Sequence, residues 1–267
     1  MTADTRPQPP LTIAESGSGP TVLVLHGGAG PASVAGIAEH LSRSSRVIAP
    51  THPGWNGTPL AFDSIGDLSH AYLDLLRDRD LHDVFVVGSS IGGWIAAEMA
   101  VRDHDRRIGG LVLIDATGVW FDDEPIADFF ALDARGVAEH SYHDPARFYQ
   151  DPADIPAAQS AIRQGNMAAL RNYAADPYMH NPRLLPRLAA VTTPTLLLWG
   201  ESDRIVTPAY GAAYAAAFAD ARFEIIRAAG HLPQLEQPEA TFDRIDGFLQ
   251  SVRIGSVTPV DSTGPTP

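Results

Sequence analysis

The residues best suited to covalent chemistry occupy positions 88–92, where the chain reads Gly-Ser-Ser-Ile-Gly. This stretch fits the G-x-S-x-G pattern, in which a serine sits on a very tight turn between a strand and a helix. An apolar, β-branched run ends at Gly88, and an apolar segment with helical spacing follows the turn. The turn would lift the Ser90 hydroxyl clear of the backbone, near a helix N-terminus that favours developing negative charge. A serine that only caps a helix is the alternative, so the motif needs partners elsewhere in the chain.

Two such partners lie late in the sequence. A serine hydroxyl is a weak nucleophile until a base removes its proton, and that base needs a third group to orient it. Asp203 follows the predicted strand 195–199, and His231 follows the next predicted strand, 222–227. The chain therefore carries a hydroxyl, a carboxyl and an imidazole, each just after a predicted strand.

Strands and helices alternate along most of the chain, which predicts an α/β fold with a doubly wound, mostly parallel sheet. Further strands are predicted at 21–25, 46–49 and 108–116, and helices at 32–41, 63–81, 208–219 and 238–252. Functional groups in such sheets lie on loops at the carboxyl ends of the strands, where Ser90, Asp203 and His231 are expected.

The alternation is interrupted once. Residues 118–190 contain many prolines and aromatic residues and no clear strand, which predicts an inserted helical cap, since a structureless loop of that length would be unusual. The predicted division is an α/β core over 1–117 and 191–253 around that insertion. A frayed tail is expected at 1–10 and a disordered tail, rich in Ser, Thr, Pro and Gly, at 254–267.

Composition excludes several chemistries. The sequence has no cysteine, which removes thiolate nucleophiles, disulfides and cysteine-based metal sites, and no lysine, which removes Schiff bases and a P-loop lysine. A net charge of −13 disfavours a nucleic-acid partner. No apolar run approaches a membrane span and the N-terminal residues lack an apolar signal-like region, so no membrane association and a cytoplasmic location are expected.

The order serine, aspartate, histidine, each after a strand, resembles that of the α/β-hydrolase superfamily. The resemblance covers about residues 11–253. It is carried by the segments His26-Gly27-Gly28, His52-Pro53-Gly54, 88–93, 199–206 and Gly230-His231-Leu232-Pro233.

The resemblance implies a role for five positions. Ser90 would be the nucleophile, His231 the general base and then the general acid, and Asp203 the group that orients the imidazole. The backbone N–H groups of Gly28 and Ile91 would form the oxyanion hole. Asp115 is a rival for the acid, because some relatives place the acid at the end of that earlier strand.

Other polar residues have simpler interpretations. His26 and His52 are expected to brace loops. His140 and His143, with Asp144, imitate a metal pair but have no evident third ligand, so a solvated surface is predicted. Residues 122–124 (Asp-Asp-Glu) are expected to form a solvated acidic turn, and no metal or cofactor is expected.

A dinucleotide-binding enzyme is disfavoured because Ser33 replaces the third glycine of the fingerprint and no acid follows the next strand. The resemblance and a serine nucleophile imply a serine hydrolase of carboxylic esters that takes a small-molecule substrate. Hydrolysis of C–C bonds in diketones, of lactones or of thioesters, perhydrolysis, and a small-molecule receptor that retains the triad are the alternatives. The sequence does not indicate an oligomeric state.

Overall fold

The computed structural model describes residues 11–255. Its strands are β1 (Thr12–Ser16), β2 (Thr21–Leu25), β3 (Arg46–Thr51), β4 (Val84–Ser89), β5 (Ile108–Ile114), β6 (Thr195–Gly200) and β7 (Ala221–Ile226). Its helices are α1 (Ala35–Leu41), α2 (Ile65–Asp78), α3 (Ile91–Ala100), α4 (Ala134–Ser141), α5 (Pro145–Phe148), α6 (Ala157–Ala174), α7 (Pro208–Ala216), α8 (Pro233–Glu236) and α9 (Pro238–Gly255). Within residues 11–255, no helix is both long enough and apolar enough to cross a membrane.

The predicted tails fall almost entirely outside this range. Residues 1–10 and 256–267 are not among the described residues. The first two positions of the tail predicted at 254–267 belong to the end of α9.

The seven strands form one sheet in the order β1-β3-β2-β4-β5-β6-β7. β1 pairs antiparallel with β3, and every other neighbouring pair is parallel. This arrangement confirms the predicted mostly parallel, doubly wound α/β sheet. The strand that precedes Ser90, β4, lies at the centre of the sheet.

Alternating side chains of the central strands fill two separate cores. In β2, Val22 and Val24 point to one face of the sheet, and Leu23 and Leu25 point to the other. The first face is covered by residues of α1 and α9, among them Ile37, Leu41, Ile245 and Phe248. The second is covered by residues of α2, α3 and α7, among them Leu68, Tyr72, Ile95 and Tyr210. Because both faces are covered, the strands read as continuous apolar runs.

The parallel strands end at one common edge of the sheet. Segments that follow β2, β4, β6 and β7 therefore emerge side by side, although they are far apart in sequence. These segments carry Gly28, Ser90, Asp203 and His231 respectively.

The segment 118–190 leaves the sheet after β5 and returns before β6. It contains α4, α5, α6 and short 3-10 turns, and it adds no strand to the sheet. The second half of α6 packs against the loops that follow β2 and β3, whereas residues 157–165 of its first half are almost entirely exposed.

Candidate active site

The turn at Ser90 has the strained geometry that its glycine pattern predicts. Ser90 has φ 55° and ψ −118°, a conformation that side-chain-bearing residues rarely adopt. A Cβ on Gly88 would lie 2.3 Å from the carbonyl oxygen of Gly92, and a Cβ on Gly92 would lie 2.3 Å from that of Leu25. Ser90 stands at the N-cap of α3, yet its side chain makes no capping hydrogen bond. The simple helix-cap alternative therefore does not describe this turn.

The structure brings Ser90, His231 and Asp203 into one hydrogen-bonded chain. Ser90 Oγ lies 3.0 Å from His231 Nε2, and His231 Nδ1 lies 2.8 Å from Asp203 Oδ2. Asp203 and His231 are buried, whereas Ser90 is partly exposed. This order leaves the hydroxyl accessible and shields the two groups that would activate it.

The imidazole of His231 is suited to accept a proton. Burial lowers the pKa of His231 below its ordinary value. His231 is therefore neutral near pH 7. With its Nδ1 proton directed at Asp203, its Nε2 lone pair faces the Ser90 hydroxyl.

Both candidate acids lie near this imidazole, but their partners differ. Asp203 Oδ1 accepts hydrogen bonds from the backbone N–H groups of Ile205 (2.8 Å) and Val206 (3.2 Å), while its Oδ2 faces His231. Asp115 Oδ1 accepts only the N–H of Gly200, at 2.9 Å. The other oxygen of Asp115 is buried and has no hydrogen-bond partner among the described residues. Of the two, Asp203 is the residue that bonds the imidazole.

The surroundings of Asp115 favour the protonated form of its carboxyl group. Burial raises its pKa well above the ordinary value, and the nearby Asp203 raises it further. Burial also raises the pKa of Asp203, but the neighbouring carboxyl group of Asp115 and the two backbone N–H donors oppose that effect. More donors face Asp203, so the single negative charge of the pair resides there.

The glycine loop after β2 passes directly beside the serine. A Cβ on Gly27 would lie 3.1 Å from the Cβ of Ser90. Within residues 11–255, the N–H groups of Gly28 and Ile91 donate to no other group of the protein. Both amides are thus free to bind an oxygen that develops negative charge.

The peptide group between Gly27 and Gly28, which carries the Gly28 N–H, is held in place by hydrogen bonds to its carbonyl oxygen. Its carbonyl oxygen, that of Gly27, accepts hydrogen bonds from His26 Nδ1 (2.8 Å) and Gly30 N (3.0 Å). The N–H and C=O of a trans peptide point in opposite directions, so fixing the oxygen also fixes the direction of the N–H. Trp55 Nε1 donates to the carbonyl oxygen of Gly28 at 2.9 Å and holds the next peptide group.

His26 and His52 form a buried pair behind this loop. Their ring centroids lie 3.8 Å apart, the backbone N–H of His52 donates to His26 Nε2, and His52 Nδ1 lies 2.6 Å from the hydroxyl of Tyr72. Burial lowers the pKa of His26 to about 4 and that of His52 well below its ordinary value. Both rings make structural hydrogen bonds that require the neutral form.

Helix α6 packs against the glycine loop that follows β2. A Cβ on Gly28 would lie 2.8 Å from Cδ2 of Leu170. Asn166 donates to the carbonyl oxygen of Ala29 at 3.2 Å and accepts the N–H of Asn56 at 2.8 Å. The second half of α6 is thus attached to the loops after β2 and β3.

The side chains of the remaining polar candidates make hydrogen bonds outside the chain of Ser90, His231 and Asp203. His140 Nδ1 bonds the carbonyl oxygen of Gly136, and the exposed His143 bonds Ser202 Oγ at 2.8 Å. Glu124 accepts the hydroxyl of Thr207. Among the described residues, the one group of acidic and histidine side chains close enough to hold a metal is Asp115, Asp203 and His231. Hydrogen bonds already engage Asp203 and His231, which favours proton transfer over metal binding at this cluster.

Several residues around the site carry no signal that the sequence analysis used. Trp55 follows a glycine-containing turn, Asn166 and Leu170 lie within a helix, and Glu236 lies in the short α8. None of them belongs to a recognisable motif, because their roles depend on contacts with segments distant in sequence.

The chain is similar in sequence and in fold to known hydrolases. Residues 22–244 match the model of the "Alpha/beta hydrolase family". The chain is 28% identical to a 2-hydroxy-6-oxononadienedioate/2-hydroxy-6-oxononatrienedioate hydrolase of Pseudomonas putida, over 86% of this chain and 87% of the relative. It is 28% identical to a pimeloyl-[acyl-carrier protein] methyl ester esterase of Aromatoleum aromaticum, over 82% and 94%. Its fold is similar to a thermophilic esterase from Thermogutta terrifontis, with a TM-score of 0.70, 25% identity and coverage of 91% and 93%.

Proposed function

Because the chain belongs to the alpha/beta hydrolase family, we propose that it is a serine hydrolase that cleaves carboxylic esters. The observation that carries this proposal is the continuous chain from Ser90 Oγ to His231 Nε2 at 3.0 Å and from His231 Nδ1 to Asp203 Oδ2 at 2.8 Å. The esterase relatives support an ester as the substrate.

The first half of the proposed reaction forms an acyl-enzyme. His231 Nε2 takes the proton of Ser90 as Oγ attacks the ester carbonyl carbon, and the carbonyl oxygen becomes an oxyanion. The N–H groups of Gly28 and Ile91 stabilise that charge, while Asp203 stabilises the imidazolium. His231 then gives its proton to the leaving alcohol as the ester C–O bond breaks.

The second half uses water in place of the alcohol. His231 takes a proton from water as the water oxygen attacks the acyl carbon of Ser90. Collapse of the second oxyanion releases the carboxylic acid, and His231 returns the proton to Ser90 Oγ. Ser90 and His231 thereby return to their starting protonation states, and none of these steps uses a cofactor.

Replacement of the nucleophile tests the proposal. We expect Ser90→Ala to lower kcat for p-nitrophenyl acetate by roughly 10⁴–10⁶-fold, because it removes the hydroxyl that His231 contacts. Alanine tolerates the positive φ no worse than serine does, so Tm should change little. Wild type should react covalently with a fluorophosphonate at Ser90, and the variant should not.

Ser89→Ala is the matched control. Ser89 lies on the same turn, but its hydroxyl accepts a hydrogen bond from Gln234 and does not contact His231. It should retain both hydrolysis and labelling. Equal activity in wild type and Ser90→Ala would contradict the proposal, and ligand binding without any turnover would favour a receptor.

The Pseudomonas putida relative supports a second candidate, hydrolysis of a C–C bond in an oxo-dienoic acid by the same residues. Parallel kcat/KM measurements on p-nitrophenyl esters and on a 2-hydroxy-6-oxo-dienoate separate the two. A higher value for the dienoate would favour the second candidate.

A further inference from the structure

Glu236, at the end of α8, holds two segments together with one buried carboxylate. The residue is 8% exposed. Its Oε2 accepts the backbone N–H of Gly230 at 2.6 Å, next to the proposed base. Its Oε1 accepts the N–H groups of His143 at 2.9 Å and Asp144 at 3.1 Å. Three backbone donors from two parts of the chain thus meet at one side chain.

The same two segments are also in direct backbone contact. The N–H of His231 donates to the carbonyl oxygen of Ser141 at 2.7 Å. A Cβ on Gly230 would lie 2.3 Å from that same oxygen, so the approach requires glycine. The backbone at the proposed base is therefore built against residues 140–144 of the helical segment.

Residues 140–144 also contact the loop of the proposed acid. The N–H of Arg204 donates to the carbonyl oxygen of His140 at 3.0 Å, and His143 bonds Ser202. These five residues therefore bridge the loop that carries Asp203 and the loop that carries His231.

From these contacts we propose that Glu236 is a positioning residue for His231, which it fixes by joining Gly230 to residues 143 and 144. The proposal rests on the proposed hydrolase function. Glu236 does not touch the reacting atoms. It acts through the backbone at Gly230, which it bonds directly. The distance from His231 Nε2 to Ser90 Oγ depends on the position of that backbone.

The chemistry of the side chain makes the proposal testable. A carboxylate presents two acceptor oxygens, whereas the amide of Glu236→Gln presents one acceptor oxygen and an NH₂ donor. The amide cannot satisfy Gly230 on one side and residues 143 and 144 on the other. A misplacement of about 1 Å in a catalytic group can reduce the rate about 10²-fold.

The experiment compares steady-state kinetics and thermal unfolding of the full chain. For Glu236→Gln we expect kcat for p-nitrophenyl acetate to fall 10–100-fold, with KM changed less than threefold, and fluorophosphonate labelling of Ser90 to slow in parallel. A purely structural role would lower Tm and leave kcat of the folded protein unchanged. Glu236→Asp, which keeps the charge but shortens the reach, provides the same test if the first variant does not fold.

Glu98→Gln is the matched control. Glu98 is a fully buried glutamate, and it joins the helical segment to α3 by accepting a hydrogen bond from the side-chain amide of Asn181 at 2.6 Å, without contacting His231 or Asp203. It should lower Tm while kcat stays within threefold of wild type. A folded Glu236 variant with wild-type kcat would overturn the positioning role alone. Absence of Ser90 labelling and hydrolysis in wild type would overturn the proposed function as well.

Discussion

At the residue scale, two carboxyl groups compete for one role beside His231. Asp203 bonds the imidazole and accepts two backbone N–H groups, whereas Asp115 bonds only Gly200 N and keeps one buried oxygen without a partner among the described residues. Both lie at the carboxyl ends of parallel strands, so sequence order alone leaves Asp115 as a rival. The hydrogen-bond partners distinguish the two.

Asparagine substitutions test this assignment. We expect Asp203→Asn to lower kcat by roughly 10³–10⁴-fold, because the amide no longer stabilises the imidazolium and favours the wrong tautomer. Asp115→Asn should cost less than about tenfold, since a protonated carboxyl group and an amide are similar in shape and charge. Esterase assays of both purified variants measure the difference, and an equal loss in the two would contradict the assignment.

At the element scale, the tight turn and helix α6 differ in what local sequence can reveal. The turn at Ser90 is specified by Gly88 and Gly92, because a Cβ at either position would lie 2.3 Å from a backbone carbonyl oxygen. Helix α6 has an ordinary composition, and its position over the glycine loop depends on Asn166 and Leu170 meeting residues more than one hundred positions away. The pattern of residues 118–190 predicts helices, but not which helix faces Ser90.

Helix α6 should limit the size of the acyl group. Leu170 lies against Gly28, beside the place where the substrate carbonyl would bind. Leu170→Ala removes three carbons beside Gly28 and leaves room for a longer acyl chain. We therefore expect the ratio of kcat/KM for p-nitrophenyl octanoate to kcat/KM for p-nitrophenyl acetate to rise roughly tenfold. Each additional methylene that is buried contributes about 0.8 kcal/mol. Ile162→Ala, on the exposed half of the same helix, is the control and should leave the ratio unchanged. An unchanged ratio in Leu170→Ala would place the acyl group elsewhere.

At the scale of the whole molecule, the free energy of unfolding is linked to the buried histidine pair. The pKa of folded His26 is about 4, below its ordinary value of 6.5, so the unfolded chain binds more protons between these values. The stabilisation that depends on neutral His26 is complete above pH 6.5 and is lost as the pH falls towards 4. At pH 5 the loss should be about 2 kcal/mol, at 1.36 kcal/mol per pKa unit.

Urea unfolding at pH 7.5 and pH 5 can isolate this contribution. The difference in unfolding free energy between wild type and His26→Gln should shrink by about 2 kcal/mol on acidification, because the variant lacks the titrating ring. His104→Gln removes an exposed imidazole outside this buried pair and is the control. A difference that is the same at both pH values would contradict the lowered pKa.

Local patterns in the sequence were sufficient for the sheet and the family. The alternation of apolar strands and helices predicted the α/β fold, which is confirmed, and the motifs at 26–28, 88–93 and 230–233 indicated the superfamily to which the chain belongs. The roles of Ser90, Asp203, His231, Gly28 and Ile91, and that of residues 118–190 as a cap, stay predictions.

The sequence by itself determined which groups could react, because a strained turn, a strand end and a glycine loop each leave a local signature in residue type. Only the tertiary structure decided which carboxyl group bonds the imidazole, which helix covers the glycine loop and which glutamate anchors the backbone beside His231. Those outcomes depend on hydrogen bonds and close packing between segments far apart in the chain, and no local pattern records such contacts.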